Sequence, residues 1–398
     1  MRCIQILLSF LLLMSSGKSI GQDIRMYIFG HSLINHSPPL IPTPSDETTV
    51  AFWMDHIADH AGSNYAAGGQ YGFLPQHDDL PPSAQWGWDS VPGVWDGDLE
   101  TFAEADINTI LLTAANFIWD IPAHEPHPGD PQTSVVQSTT TIFDWVEMQG
   151  NEPNFYIYGN WQEMNLPNDF PPTPPSSAEI EDFYNTTTGP FAEWWLNYHD
   201  SVVMTHPDTR LIPVGPIIAR LLRDHLDGLI PFPELYEDSA PHGRASIYFL
   251  AAMVTYMAVY EENIPESYLP TTIVHETIRD SLSMIRDFFW AELNAFNFPN
   301  GESRVFLSTT TGTNNIELES NAIYFYPNPN QGEVRIFGDF TNYTIEILDA
   351  QGNIYDTIEN ATSEHIINIA SLPTGMYLLQ VRNDLHQPLC VRRIVKFQ

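Results

Sequence analysis

The sequence contains 398 residues, a length that suits two domains of ordinary size. Hydrophobic residues make up 43% of it and aromatic residues 12%, which excludes a mainly disordered chain. With 50 Asp and Glu against 15 Lys and Arg, the formal net charge is −35. Such a field repels nucleic-acid phosphates and anionic lipid, so we expect no nucleic-acid partner and no docking to a membrane through basic residues.

Residues 1–21 have the pattern of a secretory signal peptide. Arg2 precedes an apolar run from Ile4 to Met14, and small and polar residues lead to the expected cleavage site before Gln22. The run is shorter than the ~20 apolar residues that span a bilayer, and the later candidate, Tyr248–Val259, is also too short, so we expect no transmembrane segment. After cleavage Cys390 is the only cysteine, which excludes an internal disulfide. The pattern predicts a secreted protein.

Residues 22–300 form the predicted main domain, in which strand-like and helix-like segments alternate. The predicted strands are Ile24–Phe29, Thr109–Thr113, Asn154–Tyr158 and Arg210–Val214, and the predicted helices cover 49–60, 245–260 and 271–296. Strands separated by helices indicate an α/β fold with a parallel sheet covered on both faces. Long Pro-rich loops interrupt the pattern and are typical of functional segments.

A linker over 301–322 and a small all-β domain over 323–398 complete the predicted organisation. Ser, Thr, Asn and Gly dominate the linker. Seven short strands separated by turn signals then predict a β-sandwich, at Ile323–Tyr326, Glu333–Phe337, Tyr343–Leu348, Ile354–Ile358, His365–Ile369, Met376–Arg382 and Val391–Phe397.

Four motifs of this domain occur in a specific order. They are Tyr326-Pro327-Asn328-Pro329, Asp349-Ala350-Gln351-Gly352, Leu372-Pro373-Thr374-Gly375-Met376-Tyr377 and Val395-Lys396-Phe397. The segment resembles the C-terminal sorting domain of the type IX secretion system of Bacteroidota. The resemblance implies export by that machinery to the medium or the cell surface, and it leaves the chemistry to the main domain. The alternative is a generic β-sandwich that binds carbohydrate or acts as a spacer.

Three sets of residues in the main domain suggest a hydrolase. Ser32 follows the first predicted strand, in Gly30-His31-Ser32-Leu33, and the carboxyl edge of a parallel sheet is where such folds bind ligands. A Gly-rich segment, 68–73, offers a backbone N–H, with Gly72 the best placed and Gly69 the reserve. Asn116 follows the buried strand 109–113 and offers a side-chain amide.

A fourth set, Leu235 to Gly243, contains a histidine with two neighbouring carboxylates. Asp238 lies four residues before His242, and Glu237 is the second candidate to orient the imidazole. An apolar helix with Tyr248 follows.

The order of these four sets over residues 24–270 resembles the SGNH, or GDSL, hydrolase family. In three positions the sequence departs from the family pattern: His31 replaces an aspartate, Ala114 a glycine and Phe117 an aspartate. The resemblance implies a three-layer α/β/α, flavodoxin-like sheet. It also implies Ser32 as nucleophile, His242 as base and Asp238 as the orienting acid, with an oxyanion hole made by Ser32, Gly72 and Asn116.

The expected function is a secreted serine esterase that removes O-acetyl groups from a polysaccharide or another acylated small molecule. The alternative is a non-catalytic glycan-binding protein on a degenerate hydrolase fold. No cofactor is expected, and no metal, because prolines at 126 and 128 exclude a helical metal motif near His124 and His127. The His77-Asp78-Asp79 segment is interpreted as polar loop residues. Tryptophans at loops near the sheet edge are candidate sugar platforms or core residues, namely Trp86, Trp88, Trp95, Trp119 and Trp161.

Overall fold

A computed structural model describes most of the chain. The described residues are 23–36, 46–127, 130–150 and 152–307, and in the tail 324–326, 332–337, 343–348, 354–362, 365–373, 375–382 and 388–396. The predicted signal peptide, most of the linker, and the tail motifs at 327–329 and 349–352 lie outside these residues. Contacts divide the chain into two units, up to Ala291 and from Glu292 onward.

Strands and helices alternate through the first unit. Its strands are β1 (Asp23–Gly30), β2 (Asn64–Tyr71), β3 (Thr109–Leu112), β4 (Pro126–His127), β5 (Asp130–Ser134), β6 (Asn154–Tyr158) and β7 (Arg210–Ile212). The helices are α1 (Val50–Ala61), α2 (Val135–Met148), α3 (Ser177–Thr188), α4 (Pro190–Val202), α5 (Val214–Asp224), α6 (Phe232–Leu235), α7 (Ala245–Tyr260), α8 (Glu276–Asp280) and α9 (Leu282–Ala295).

Five parallel strands form the central sheet, in the order β2-β1-β3-β6-β7. Ile28 at the centre of β1 lies opposite Gly69 of β2 and Leu111 of β3. All four residues of β3 are buried, as expected of strands that are covered on both faces. The predicted α/β class with a parallel sheet is therefore confirmed, and this strand order is the one found in flavodoxin-like sheets.

Strand β2 was not among the predicted strands, because its Gly-Gly pair indicated a loop. Gly68 and Gly69 instead lie inside the strand. A Cβ on Gly69 would lie 2.4 Å from the carbonyl oxygen of Ile28. Glycine is required here by close approach of two backbones, which sequence patterning does not reveal.

The predicted helix over 271–296 is two helices, α8 and α9. The His275 imidazole accepts a hydrogen bond from the Thr277 N–H, which fixes the start of α8 after the predicted start. By contrast, α7 matches its predicted bounds, and all its residues are buried, which explains why the segment is apolar on every face. Among the described residues, no helix is both long enough and apolar enough to cross a membrane.

The second unit contains two antiparallel sheets. Its strands are β8 (Tyr324–Tyr326), β9 (Glu333–Phe337), β10 (Tyr343–Leu348), β11 (Ile354–Ala361), β12 (Ile366–Asn368), β13 (Gly375–Arg382) and β14 (Pro388–Lys396). One sheet has the order β11-β10-β13-β14 and the other β12-β9-β8. One buried cluster takes residues from both sheets, including Ile336, Ile347 and Leu379. Two sheets that share one core form the sandwich that the alternating pattern predicted.

Candidate active site

Ser32 lies in a tight turn directly after β1, at the carboxyl edge of the sheet. The N–H groups of Ile34 and Asn35 both donate to the His31 carbonyl, at 2.9 and 3.2 Å. From the other side, the Tyr248 hydroxyl of α7 donates to the Ser32 carbonyl at 2.6 Å. These bonds hold the backbone on both sides of the serine, so its side chain has a defined position.

His242 and Asp238 lie on a short loop before α7 that antiparallel backbone bonds close. The Glu237 N–H donates to the His242 carbonyl at 2.8 Å, and the Arg244 N–H to the Leu235 carbonyl at 2.8 Å. The extra residue between the aspartate and the histidine is accommodated by a turn, in which one Asp238 oxygen accepts the N–H groups of Ala240 and His242 at 3.1 and 3.0 Å. Such turns are typical of Asp.

The three predicted catalytic side chains lie within hydrogen-bonding distance of one another. The Ser32 hydroxyl lies 2.8 Å from His242 Nε2, and His242 Nδ1 donates to Asp238 Oδ2 at 2.7 Å. Burial by itself raises the pKa of Asp238, but the hydrogen bonds and charge of His242 hold this pKa below its ordinary value. Asp238 is therefore ionised at neutral pH, and Nε2 of the oriented imidazole is free to accept the serine proton.

Glu237, the second candidate for orienting His242, has a different partner. Its carboxylate accepts a hydrogen bond from His36 Nε2 at 3.1 Å, and Arg244 lies 3.6 Å away. His36 in turn stacks on His242, with ring centroids 4.2 Å apart and planes only 6° from parallel. Burial, then the charge of His242, lower the pKa of His36. Sequence analysis missed His36, because no motif links residue 36 to residue 242.

The predicted oxyanion donors differ in their availability. Of the described residues, none accepts a hydrogen bond from the Ser32 N–H. Asn116 Nδ2 donates to the Ala240 carbonyl at 3.1 Å, and an amide nitrogen carries a second hydrogen. The Gly72 N–H instead donates to the Gly30 carbonyl at 2.9 Å, so it is occupied in this structure. Gly69, the reserve, lies inside β2.

His31, where the SGNH pattern has an aspartate, is buried beside Ser32. Its Nε2 donates to the Ala114 carbonyl at 3.0 Å, and its Nδ1 accepts from the Leu33 N–H at 3.3 Å. Burial lowers the pKa of His31 to about 4, the Ala114 bond opposing and the charge of His242 assisting this shift. A neutral imidazole thus joins the turn after β1 to the end of β3.

Two depressions adjoin Asn116. An apolar pocket of about 260 Å³ is lined by residues on both sides of it in sequence, Ala115 and Phe117, and by Phe73 and Trp194. A more open groove of about 900 Å³ has Phe117 in common with the pocket, and its walls combine apolar residues such as Trp119 with the polar residues Asp120, Glu163, Asn165 and Asp182.

The tryptophans interpreted as sugar platforms or core residues have different surroundings. Trp161 and Trp88 are buried, and the Trp161 indole donates to the Pro241 carbonyl at 2.9 Å, next to His242. Trp95 packs on Tyr27 and Phe102. Trp119 lines the groove. Trp86 lies next to β2, and its backbone N–H donates to the Gly69 carbonyl.

The polar loop residues weighed as metal ligands have other surroundings. His77 is buried and accepts a hydrogen bond from Gln70 at 2.7 Å. His124 is exposed and lies 3.9 Å from Glu125. Elsewhere in the described part of the chain, Asp144, Glu147 and His206 lie close enough together to share an ion, but both acids are exposed, and His206 is already paired with Asp144 at 3.2 Å.

Comparison with known families identifies the tail. Residues 324–396 match the family described as the secretion system C-terminal sorting domain. The tail is a type IX sorting domain. It indicates a secreted or cell-surface protein and an interaction with the type IX secretion machinery, as the sequence motifs predicted. No curated protein matches the sequence.

Three solved structures illustrate the similarity, and each is remote. PorZ, a surface component of the type IX secretion system of Porphyromonas gingivalis, is 22% identical over 21% of this chain, which spans only 13% of the PorZ chain, with a TM-score of 0.19. A DUF3244 family protein from Bacteroides vulgatus with an immunoglobulin-like β-sandwich is 17% identical over 19% of this chain and 83% of its own, with a TM-score of 0.17. A DUF4886 family protein from Bacteroides uniformis is 11% identical over 71% of this chain and 98% of its own, with a TM-score of 0.43. TM-scores below 0.5 do not establish a common fold.

Proposed function

We propose that the protein is an exported serine esterase of the SGNH type that acts on ester groups of a polysaccharide. The observation that carries the proposal is the continuous chain of hydrogen bonds from Ser32 through His242 to Asp238, at 2.8 and 2.7 Å. Residues 210 positions apart in sequence meet in this geometry, and it is the arrangement that activates a serine hydroxyl. A decayed, purely glycan-binding site has no need to keep it.

The reaction proceeds in two steps through an acyl-enzyme. Ser32 Oγ forms a bond to the ester carbonyl carbon while its proton passes to His242 Nε2. The bond between that carbon and the alcohol oxygen then breaks, and His242 returns the proton to the departing alcohol. In the second step, His242 takes a proton from water while the water oxygen bonds to the acyl carbon. The bond between that carbon and Ser32 Oγ then breaks, His242 returns the proton to Oγ, and the carboxylic acid leaves.

The negative charge of the tetrahedral intermediate requires hydrogen-bond donors close to Ser32. The Ser32 N–H and the second hydrogen of the Asn116 amide are the donors that the proposal assigns, since the Gly72 N–H is already bonded to Gly30. Removing one such donor typically lowers turnover ~10²–10³-fold.

The groove supports a carbohydrate as the alcohol part of the ester. It borders the His242 loop, because the Met164 N–H in its wall donates to the Ser239 carbonyl at 2.9 Å. Trp119 offers a ring face for a sugar. The carboxylates of the groove favour a neutral or cationic sugar over an acidic one.

Turnover of 4-nitrophenyl acetate by purified protein tests the proposal. Wild-type protein should hydrolyse the ester, and Ser32→Ala should lower kcat by roughly 10⁴-fold or more with an unchanged circular dichroism spectrum. Asn116→Ala should lower kcat ~10²-fold. If Ser32→Ala retains wild-type turnover, or if wild-type protein binds glycans but hydrolyses no ester, the esterase proposal is wrong.

A further inference from the structure

We infer that the apolar pocket beside Asn116 is the acyl subsite, and that it takes an uncharged apolar acyl group larger than a benzene ring rather than acetyl alone. This inference rests on the proposed esterase function and names the acyl part of its substrate.

The position of the pocket identifies which half of the ester it can hold. In the tetrahedral intermediate, the alcohol oxygen must lie within reach of His242 Nε2, because that nitrogen returns the proton. The alcohol therefore leaves on the side of the His242 loop, where the groove with its four carboxylates lies. Of the described residues from Leu235 to Arg244, none lines the pocket or the groove, but the groove wall is bonded to this loop, because the Met164 N–H donates to the Ser239 carbonyl at 2.9 Å. The pocket lies instead next to the oxyanion donor Asn116, on the side that remains for the acyl group.

Aromatic contacts connect the pocket to the nucleophile. The Phe73 ring, in the pocket wall, lies 5.5 Å from the ring of His31, the residue before Ser32. The same ring lies 5.2 Å from that of Phe117, which separates pocket from groove. An acyl group that enters between these rings starts beside the serine.

The lining is apolar and held in place. Five of its side chains are at most 7% exposed and belong to Leu74, Ala115, Ile118, Ala123 and Val135. The Trp194 indole closes one wall and is fixed by a 2.7 Å hydrogen bond to the Ile121 carbonyl. Glu125 is the one charged residue among those described in the lining, and it disfavours acyl groups that carry a negative charge.

The size of the pocket excludes acetyl as the group that fills it. An apolar protein cavity of ~150 Å³ holds benzene, and this pocket measures about 260 Å³. A methyl group would leave most of the lining without contacts, so a six-carbon chain or an aryl ring gains apolar burial that acetyl cannot.

The experiment compares kcat/KM of the intact protein for the 4-nitrophenyl esters of acetate, hexanoate and benzoate, each divided by its spontaneous hydrolysis rate. We expect this normalised kcat/KM for hexanoate or for benzoate to exceed that for acetate at least tenfold. The comparison of hexanoate with benzoate shows whether the pocket prefers a chain or a ring. Ala123→Phe, which fills the pocket, should lower that preference at least tenfold. Ile121→Trp fills it from another wall and replaces Ala123→Phe if that variant does not fold. The matched control is Ala291→Phe, at an exposed position of α9, which should leave the preference unchanged.

The outcomes separate this inference from the proposed function. If acetate is hydrolysed through Ser32 but hexanoate and benzoate show no advantage, or if pocket filling leaves the preference intact, the acyl assignment is overturned and the esterase function stands. If no ester of any length is hydrolysed, both are overturned.

Discussion

Two adjacent carboxylates, Glu237 and Asp238, have different roles that only their partners reveal. Asp238 accepts the His242 Nδ1–H at 2.7 Å, whereas Glu237 accepts the His36 Nε2–H at 3.1 Å. The stack of His36 on His242 adds a second restraint to the imidazole. Asp238 thus orients the His242 imidazole directly, whereas the Glu237 carboxylate contacts that ring only through His36.

We expect Asp238→Asn to lower kcat for 4-nitrophenyl acetate by up to ~10⁴-fold, because a neutral amide favours the wrong imidazole tautomer. Glu237→Gln should have little effect, because its amide oxygen still accepts the bond from His36. Steady-state kinetics of the two variants give the comparison. A silent Asp238→Asn beside a strongly impaired Glu237→Gln would reverse the assignment.

Two buried histidines make the stability of the main domain depend on pH. Burial lowers the pKa of both His31 and His77 from 6.5 to about 4. Above pH 6.5 neither is protonated in the folded or the unfolded state. Below it, only the unfolded chain gains these protons, so stability falls until the pH passes 4. At about 1.4 kcal/mol per pKa unit, each histidine lowers the free energy of unfolding by roughly 3 kcal/mol once the pH is below its folded-state pKa.

We expect wild-type protein to lose more stability between pH 7 and pH 5 than a His77→Gln variant, which has no titrating group at this position. Urea unfolding followed by tryptophan fluorescence measures the difference, because all ten tryptophans lie in the main domain. Comparing the two proteins by their change in unfolding free energy between the two pH values removes the effect of the acidic surface, which both share. Equal losses in the two proteins would contradict the prediction.

At the level of elements, the pairing of β1 with β2 depends on a glycine. Gly69 lies opposite Ile28, and a Cβ on it would lie 3.0 Å from the Trp86 ring as well as 2.4 Å from the Ile28 carbonyl oxygen. Backbone atoms cannot move aside as a flexible side chain can. The edge strand that positions the Gly72 end of the site therefore tolerates no side chain at residue 69.

We expect Gly69→Ala to destabilise the main domain by at least about 2 kcal/mol, because the strand pair must separate to admit a methyl group. Gly87→Ala is the control, since a Cβ at residue 87 meets nothing within 4 Å, and its effect should stay within ~0.5 kcal/mol. Urea midpoints give both values. A Gly69→Ala protein as stable as Gly87→Ala would show that the strands are not so closely paired.

Across the whole molecule, the residues that direct export and the residues of the candidate active site lie in different parts of the chain. The sorting domain at 324–396 directs export, whereas every residue assigned to the ester site lies before residue 250. We expect deletion of 323–398 to leave the chain in the periplasm of a bacterium with type IX machinery, while the purified truncated protein keeps its ester turnover. Surface labelling of intact cells and activity of the periplasmic fraction test the two halves. Normal surface display of the truncated chain would contradict the first half, and loss of turnover the second.

Much of the architecture is readable from local pattern. Segment 245–260 is apolar on all faces and forms the buried α7 over those residues. The alternation of the tail predicted each of its strands to within a few residues, because one face of each sheet packs on a shared core. Strand β2 was not predicted, because its glycines allow a close backbone contact and give no alternation of side chains that would indicate a strand.

The sequence alone determined the α/β class, the sorting tail, and the identity of Ser32, His242 and Asp238 as candidates, because residue type, order and periodicity carry that information. Only the tertiary structure decided that Glu237 pairs with His36, that the Gly72 N–H is occupied by Gly30, and that an apolar pocket adjoins Asn116. Hydrogen-bond partners and cavity walls come from segments distant in sequence. Which donor meets which acceptor is therefore set by the packing of the whole domain.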